Sequence, residues 1–384
     1  LARGLIALEK GDVATAASLD PGDEPRGVLL RAGVALRQGR PADALAQLES
    51  FNRVARGRPY ASVDSARVVE LRKAALKASW TDATSAEVDL AGAIDAVARF
   101  AERQSLDAVT RAARALRDEL DRPLLLAVLG EFNAGKSTLI NAIIGAEVAP
   151  MGIVPTTATL NVLRGGAARR VRLVRVDGST REGDYDGLRD LLADAAAADE
   201  SVDHVEIVLP SEHLERVWIM DAPGTNALDP AHERLAREAA RRADAVLWVF
   251  DAGQAGKKTE ASFYSAFRGS GRKVIPVLNK RDRLSAQDLE RVSAVVTASW
   301  SGAEAGAVGE AMAPLVTVSG RSALKAKLAG DEEALAASGF DAFLAHLDRE
   351  VFSRSRELKR RACASRLLAV LDQALESERA LVEA

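Results

Sequence analysis

A single cysteine, Cys363, stands in 384 residues, so no disulfide can close within the chain. That suits a reducing compartment and favours a cytoplasmic setting. No apolar run approaches 18 residues and no secretory leader is present, so nothing reads as a membrane span or a signal peptide. Charge of one sign is also lacking. The 52 Lys+Arg and 55 Asp+Glu leave a formal net charge of −3, which argues against a protein built to coat nucleic acid. The four histidines, His204, His213, His232 and His346, have no metal-ligand spacing. What is plentiful is apolar and charged: 48% and 28% of the chain, enough for the cores of two or three domains. The chain begins at Leu1 rather than Met, which suggests a piece of a longer protein.

The most informative stretch is Gly130, Glu131, Phe132, Asn133, Ala134, Gly135, Lys136, Ser137, followed by Thr138. It fits G-x-x-x-x-G-K-[ST], the phosphate-binding P-loop. Residues 124–129 before it are an apolar run that reads as a buried strand, and residues 138–144 after it read as a helix ended near Gly145. Strand, glycine loop and helix are what the chemistry needs. Glycines let backbone N–H groups curl around phosphate oxygens, and the helix N-terminus adds positive potential. Lys136 can reach β- and γ-phosphates, and the Ser137 hydroxyl can bind Mg²⁺.

Two more loops follow in the order such a site requires. The strand 217–220 runs into Asp221, Ala222, Pro223, Gly224, a D-x-x-G. A carboxylate there can hold a Mg²⁺-bound water, and the Gly224 N–H can contact a γ-phosphate. The strand 274–278 runs into Asn279, Lys280, Arg281, Asp282, an N-K-x-D. The Asp282 carboxylate can accept from guanine N1–H and its exocyclic amine, donors that adenine lacks, so the nucleotide is GTP or GDP. Asn279 is expected to brace the P-loop and Lys280 to cover the base. The exit of the strand near 314–318 gives Ser319 and Gly320, where a backbone N–H can meet guanine O6. The first switch is expected within 152–159. Thr157, in preference to Thr156, would offer its hydroxyl to Mg²⁺ and its N–H to the γ-phosphate. A second string, Gly256 to Thr259, is not a P-loop because position 251 is Asp.

Candidate strands at 124–129, 159–164, 170–176, 204–209, 216–220, 245–250, 273–278 and 314–318 alternate with helical patterns. Such alternation predicts an α/β fold, a doubly wound and mainly parallel sheet with flanking helices. Ligands bind such sheets at the carboxyl ends of the strands. Residues 1–80 read as short helices, with the string from Leu8 to Ala16 resembling that from Leu36 to Ala44, 28 residues on. This looks like degenerate tetratricopeptide hairpins, with plain helical packing as the alternative. Residues 85–121 carry one helical stripe and 364–382 another. These two helices can pair into a neck or each pack on the core. Arg354, Arg356, Lys359, Arg360 and Arg361 read as a solvated helix face, or as one that meets anionic lipid.

Taken together, the residues at 130–138, 155–157, 221–226, 242–247, 278–282 and 318–324 resemble those of a bacterial dynamin-like GTPase. The resemblance implies an enlarged Ras-like GTPase domain over 123–352, a neck helix at 81–122 and another at 353–384, the latter stopping early for a full stalk. It leaves 1–80 outside. It further implies GTP hydrolysis with Mg²⁺ held by Ser137, Thr157 and Asp221, and homodimers formed through the nucleotide face. It places the protein in the cytoplasm, peripheral at the inner membrane, where members remodel membranes. Two residues depart from the pattern: Phe132 stands where dynamins often have a polar water-positioning residue, and Thr225 stands where Ras-like enzymes keep glutamine. Asn133 resembles the residue by which potassium-activated GTPases hold a cation, which would make Lys136, Thr157 and Asn133 the catalytic set and K⁺ a cofactor. A regulatory switch docking a protein partner through the N-terminal helices remains an alternative. A ribosome-assembly GTPase is another, though no RNA-binding motif is present and no nucleic-acid partner is expected.

Overall fold

The structure is a computed structural model that describes residues 7–8, 11–19, 24–54, 62–81, 89–148, 159–198, 200–224, 230–254, 272–301 and 313–383. It divides into two units, one of Leu1–Arg122 with Cys363–Ala384 and one of Pro123–Ala362.

The first unit is helical. Two turns in it are copies of each other. Gly11 N–H donates to the Leu8 carbonyl (3.1 Å) and Asp12 N–H to that of Ala7 (2.9 Å). Gly39 N–H donates to Leu36 (3.1 Å) and Arg40 N–H to Ala35 (2.9 Å). Both glycines take left-handed φ, +82° and +70°, which closes the preceding helix. The repeated string therefore repeats a turn, with Val13–Ser18 following the first copy and Pro41–Val54 the second. Leu48, Phe51, Val68 and Leu76 are packed into a core shared by these helices and Ser62–Thr81. Arg72 is buried among them and donates to the Leu48 carbonyl (3.0 Å); burial pushes its guanidinium down to about 10.

The stripe read as one helix over 85–121 is two helices, Leu90–Arg103 and Asp107–Leu120. Ser105 takes a left-handed φ of 57°, and Leu106 N–H closes on the Ala101 carbonyl at 2.9 Å. No glycine or proline marks the break, so the apolar spacing carries straight across it. Ile94, Val97 and Ala101 on one side and Val109, Ala113 and Leu116 on the other bury into the same core. The long helix Ser355–Glu383 adds Cys363, Leu367 and Leu371 to it, with Arg366 paired to Glu119 at 2.6 Å.

The second unit holds a nine-stranded sheet. Its strands are β1 (Leu124–Gly130), β2 (Leu160–Gly165), β3 (Arg170–Arg175), β4 (Thr180–Asp184), β5 (Val202–Leu209), β6 (Val217–Asp221), β7 (Ala245–Asp251), β8 (Lys273–Asn279) and β9 (Val316–Val318). The order is β4-β3-β5-β2-β6-β1-β7-β8-β9. From β6 to β9 every pair is parallel. β2 runs antiparallel to β6, with Asn161 opposite Asp221, yet parallel to β5. Successive β1 residues go to different cores: Leu126 and Val128 join one apolar cluster, Ala127 and Leu129 another. Because side chains alternate along a strand, both faces are covered and the sheet is doubly wound.

β4 escapes sequence reading because Thr180–Asp184 has no apolar residue. It is an edge strand, held to β3 by its backbone and by Arg172 directly opposite Glu182 (2.7 Å). Charge on such an edge also discourages pairing with other chains. The basic run at 354–361 is not a uniformly solvated face. Arg354 pairs with Glu357 at 2.6 Å. Lys359 is buried and donates to Asp244 Oδ2 at 2.9 Å; the same oxygen accepts from the N–H of Leu125, on β1, at 2.8 Å. No described helix is long and apolar enough to cross a membrane.

Removing one partner of a buried pair strands the other charge in a poor solvent. Lys359→Met should therefore cost about 3 kcal/mol in urea unfolding, because the buried Asp244 carboxylate loses its lysine. A loss under about 0.5 kcal/mol, the value of an ordinary surface pair, would contradict this account.

Candidate functional site

Parallel strands bring their carboxyl ends to one edge. Register places Val128 beside Asp221, Gly130 beside Val249, and Asp251 beside Asn279. The P-loop, the Asp221 loop and the Asn279 loop thus meet without any special folding of the loops themselves.

The loop after β1 wraps over the start of the helix Lys136–Ile144. Lys136 is 7% exposed, and its Nζ donates to the carbonyls of Gly130 (3.2 Å) and Glu131 (3.0 Å). Burial drives its pKa down to about 8, against the opposing pull of Asp221 and Glu131. Ser137 Oγ donates to Asp221 Oδ2 at 2.7 Å, while Asp221 Oδ1 is buried with no hydrogen-bond partner. Burial raises the Asp221 pKa, with the Ser137 bond and Lys136 acting against it. An orphaned carboxylate oxygen beside a serine hydroxyl is a hard oxygen donor set, which fits Mg²⁺. Thr138 follows in the first helical turn. Glu131 and Ala134 are buried, whereas Phe132 and Asn133 face outward, Phe132 being 58% exposed. Gly224 packs directly on this loop: a Cβ there would lie 2.5 Å from Phe132 Cα.

Asn279 ties the loops together. Its Nδ2 donates to the Ala134 carbonyl at 2.8 Å, and its Oδ1 accepts from Lys280 N–H (2.8 Å) and Gly320 N–H (2.9 Å). The approach is close enough that a Cβ on Gly135, whose φ is +89°, would lie 2.4 Å from Asn279 Nδ2. Lys280 donates to the Asn133 carbonyl and pairs with Asp251 Oδ2 at 2.7 Å. Asp282 is exposed in the short turn Arg281–Arg283. Ser319 caps the helix Gly320–Ala329, its Oγ accepting from Ser322 N–H at 3.3 Å.

The Gly320 N–H, in the turn expected to meet guanine O6, donates to Asn279 Oδ1 at 2.9 Å. Asp251 was passed over as a site residue; its only signal was a carboxylate closing a wholly apolar strand. Thr156, Thr157, Thr225, Asn226 and the string 256–259 lie outside the described residues.

A lysine whose folded pKa falls below its usual 10.5 costs stability while charged. Between about 8 and 10.5 the unfolded chain holds more protons, so stability rises with pH across that window. Thermal unfolding of the wild type should therefore gain on that of Lys136→Met as pH climbs from 8 towards 10. Parallel curves would show that Lys136 is not desolvated.

Residues 126–281 match the sequence model of the dynamin family. A probable transmembrane GTPase, FZO-like and chloroplastic, of Arabidopsis thaliana is 30% identical over 224 residues, 58% of this chain. Dynamin-like protein 2 of Campylobacter jejuni is 30% identical over 175 residues, 45% of this chain. The chain spans only 21% and 28% of the lengths of these two relatives. A solved structure of an oligomerised bacterial dynamin pair aligns with a TM-score of 0.48 at 21% identity, covering 67% of this chain and 39% of that one. The matched stretch begins in β1 and ends at Arg281, so it takes in the P-loop, Asp221 and Asn279: over these residues the chain is similar to the dynamin family.

Proposed function

We propose that the unit Pro123–Ala362 binds GTP and hydrolyses it to GDP and phosphate, and that this cycle drives work at a membrane surface. The observation that carries the reading is the Asn279 bridge, which joins a guanine-type loop to a phosphate-type loop through one amide. Backbone N–H groups of 131–138 and the Lys136 ammonium hold the phosphates. Lys136 is held by two carbonyls of its own loop, bonds that phosphate oxygens can replace. Ser137 and Asp221 would hold Mg²⁺, Asp221 through water, with Thr157 adding its hydroxyl from the first switch; the ion would supply positive charge against the charge that develops on the phosphates. Gly224 contacts the γ-phosphate. Asp282 selects guanine, Lys280 covers the base, and the turn of Ser319 and Gly320 supplies a backbone N–H for O6.

Phe132 has no group that can orient the attacking water. Turnover by the isolated chain is therefore slow, and a second copy across the nucleotide face completes the site. Asn133, exposed on that face, would offer its side-chain oxygen to a K⁺ that adds positive charge near the phosphates. The names of the relatives support the membrane setting: one is a probable transmembrane GTPase, and the solved dynamin pair is described as tethering membranes.

Calorimetric titration should give GTP and GDP micromolar or tighter binding, with ATP weaker by roughly 10⁴-fold, as expected when a buried-type hydrogen-bond pair is left unmatched. Asp282→Asn should move the preference from guanine to xanthine, whose 2-oxo group accepts where the guanine amine donates. Equal affinity for ATP would sink the guanine reading. Turnover per chain should rise with protein concentration and with added anionic liposomes, and should be about tenfold faster in KCl than in NaCl. Equal rates in the two salts would remove K⁺ from the site.

A further inference from the structure

Asp251 is assigned no part in the site by any motif, yet it lies at the centre of the base-side clasp. It ends β7 and is 6% exposed. Its two oxygens are divided between two tasks. Oδ1 accepts from the N–H of Gly253 at 2.9 Å, which fixes the carboxylate's own rotation. Oδ2 is 2.7 Å from Lys280 Nζ. Lys280 in turn donates to the carbonyl of Asn133, so one ammonium joins the ends of β7 and β8 to the P-loop.

Both residues at the far ends of that clasp are held in conformations they would not choose. Among described non-glycine residues only Ser105, Asn133 and Lys280 have positive φ, and two of these three are clasped to each other. A left-handed backbone persists in a non-glycine residue only where its surroundings over-determine it. For Lys280 the constraint on its main chain is Asn279 Oδ1, and on its side chain Asp251. For Asn133 the constraint on its carbonyl is Lys280.

We infer that Asp251 is a positioning residue for guanine-nucleotide binding: it holds the Lys280 side chain across the base and, through Lys280, holds the Asn133 turn of the P-loop closed. The inference rests on the reading that this edge binds GTP and GDP. With the carboxylate in place, the ammonium is anchored at both ends and its methylene stem is stretched between β7 and the P-loop. Without it, the ammonium keeps only a neutral carbonyl and swings toward water. The stem then no longer covers the base, and the Asn133 turn loses its outer restraint. The effect falls on the bound lifetime of the nucleotide rather than on base choice, because covering a ring does not distinguish guanine from hypoxanthine.

Release of fluorescent GDP and IDP analogues, chased by excess unlabelled nucleotide, tests this in a double-mutant cycle. Asp251→Asn keeps the shape and the acceptor for Gly253 but removes the charge. It should speed release of both analogues by about tenfold, the loss expected of a charge-assisted hydrogen bond, with their ratio unchanged. Lys280→Met should do at least as much. The double variant should release no faster than Lys280→Met alone, because Asp251 acts only through the lysine. Release from Asp251→Asn within twofold of wild type overturns the inference. So does a further acceleration in the Lys280→Met background, which would mean that Asp251 supports the site through β7 itself. If the asparagine variant does not fold, judged by its unfolding transition, Asp251→Glu takes its place. Its displaced carboxylate should speed release in the wild-type background and leave Lys280→Met unchanged, with the same two results overturning the inference. Failure of the wild type to bind GDP at all would refute the guanine site itself, a result separable from either outcome.

Discussion

The site depends on what one amide can do with its two ends. Asn279 has a donor and an acceptor a fixed distance apart, and both are used. The donor holds the P-loop at Ala134; the acceptor takes N–H groups from Lys280 and Gly320. Three loops from strands far apart in sequence are thereby fixed to one planar group. No other side chain does this at the same size. Aspartate would have no donor for Ala134, and glutamine would hold the loops a methylene further apart. The absence of a side chain at Gly135 follows from the same contact, since the amide occupies the space a Cβ would need.

Around that anchor the loop is built with its charges buried in advance. Lys136 and Asp221 lie out of water, one pushed toward losing its proton and the other toward gaining one. Each is only partly compensated: the ammonium by carbonyls of its own loop, the carboxylate by a single hydroxyl. Groups kept short of partners in a low dielectric respond strongly to a charged ligand, because little reorganisation is left to oppose it. The cost is carried by the rest of the sheet, whose central strands are apolar on both faces.

The parts legible in the sequence were those in which function is written as a contiguous string. The P-loop, the Asp221 loop and the Asn279 loop each need specific residues at adjacent positions, and each follows an apolar strand that announces it. The alternation of elements gave the doubly wound sheet for the same reason. What could not be read depends on partners distant in the chain. β4 has no apolar residue and is a strand only because β3 lies beside it. The break at Ser105 leaves the apolar stripe in phase, so spacing alone cannot find it. Lys359 looks like one of five surface cations until Asp244 is placed against it, 115 residues away. Asp251 looks like the wrong residue for a second P-loop, and its meaning appears only when Lys280 is seen to reach it.

β2 runs against its neighbour β6, so its first residue, rather than its last, arrives at the nucleotide edge, with Asn161 beside Asp221. Its other end, Gly165, lies about 17 Å away at the usual rise of an extended strand. β2 is paired on both sides, to β5 and to β6, so it cannot slide without breaking two ladders, and the place of Asn161 beside Asp221 is set by the sheet rather than by the chain that leads into it.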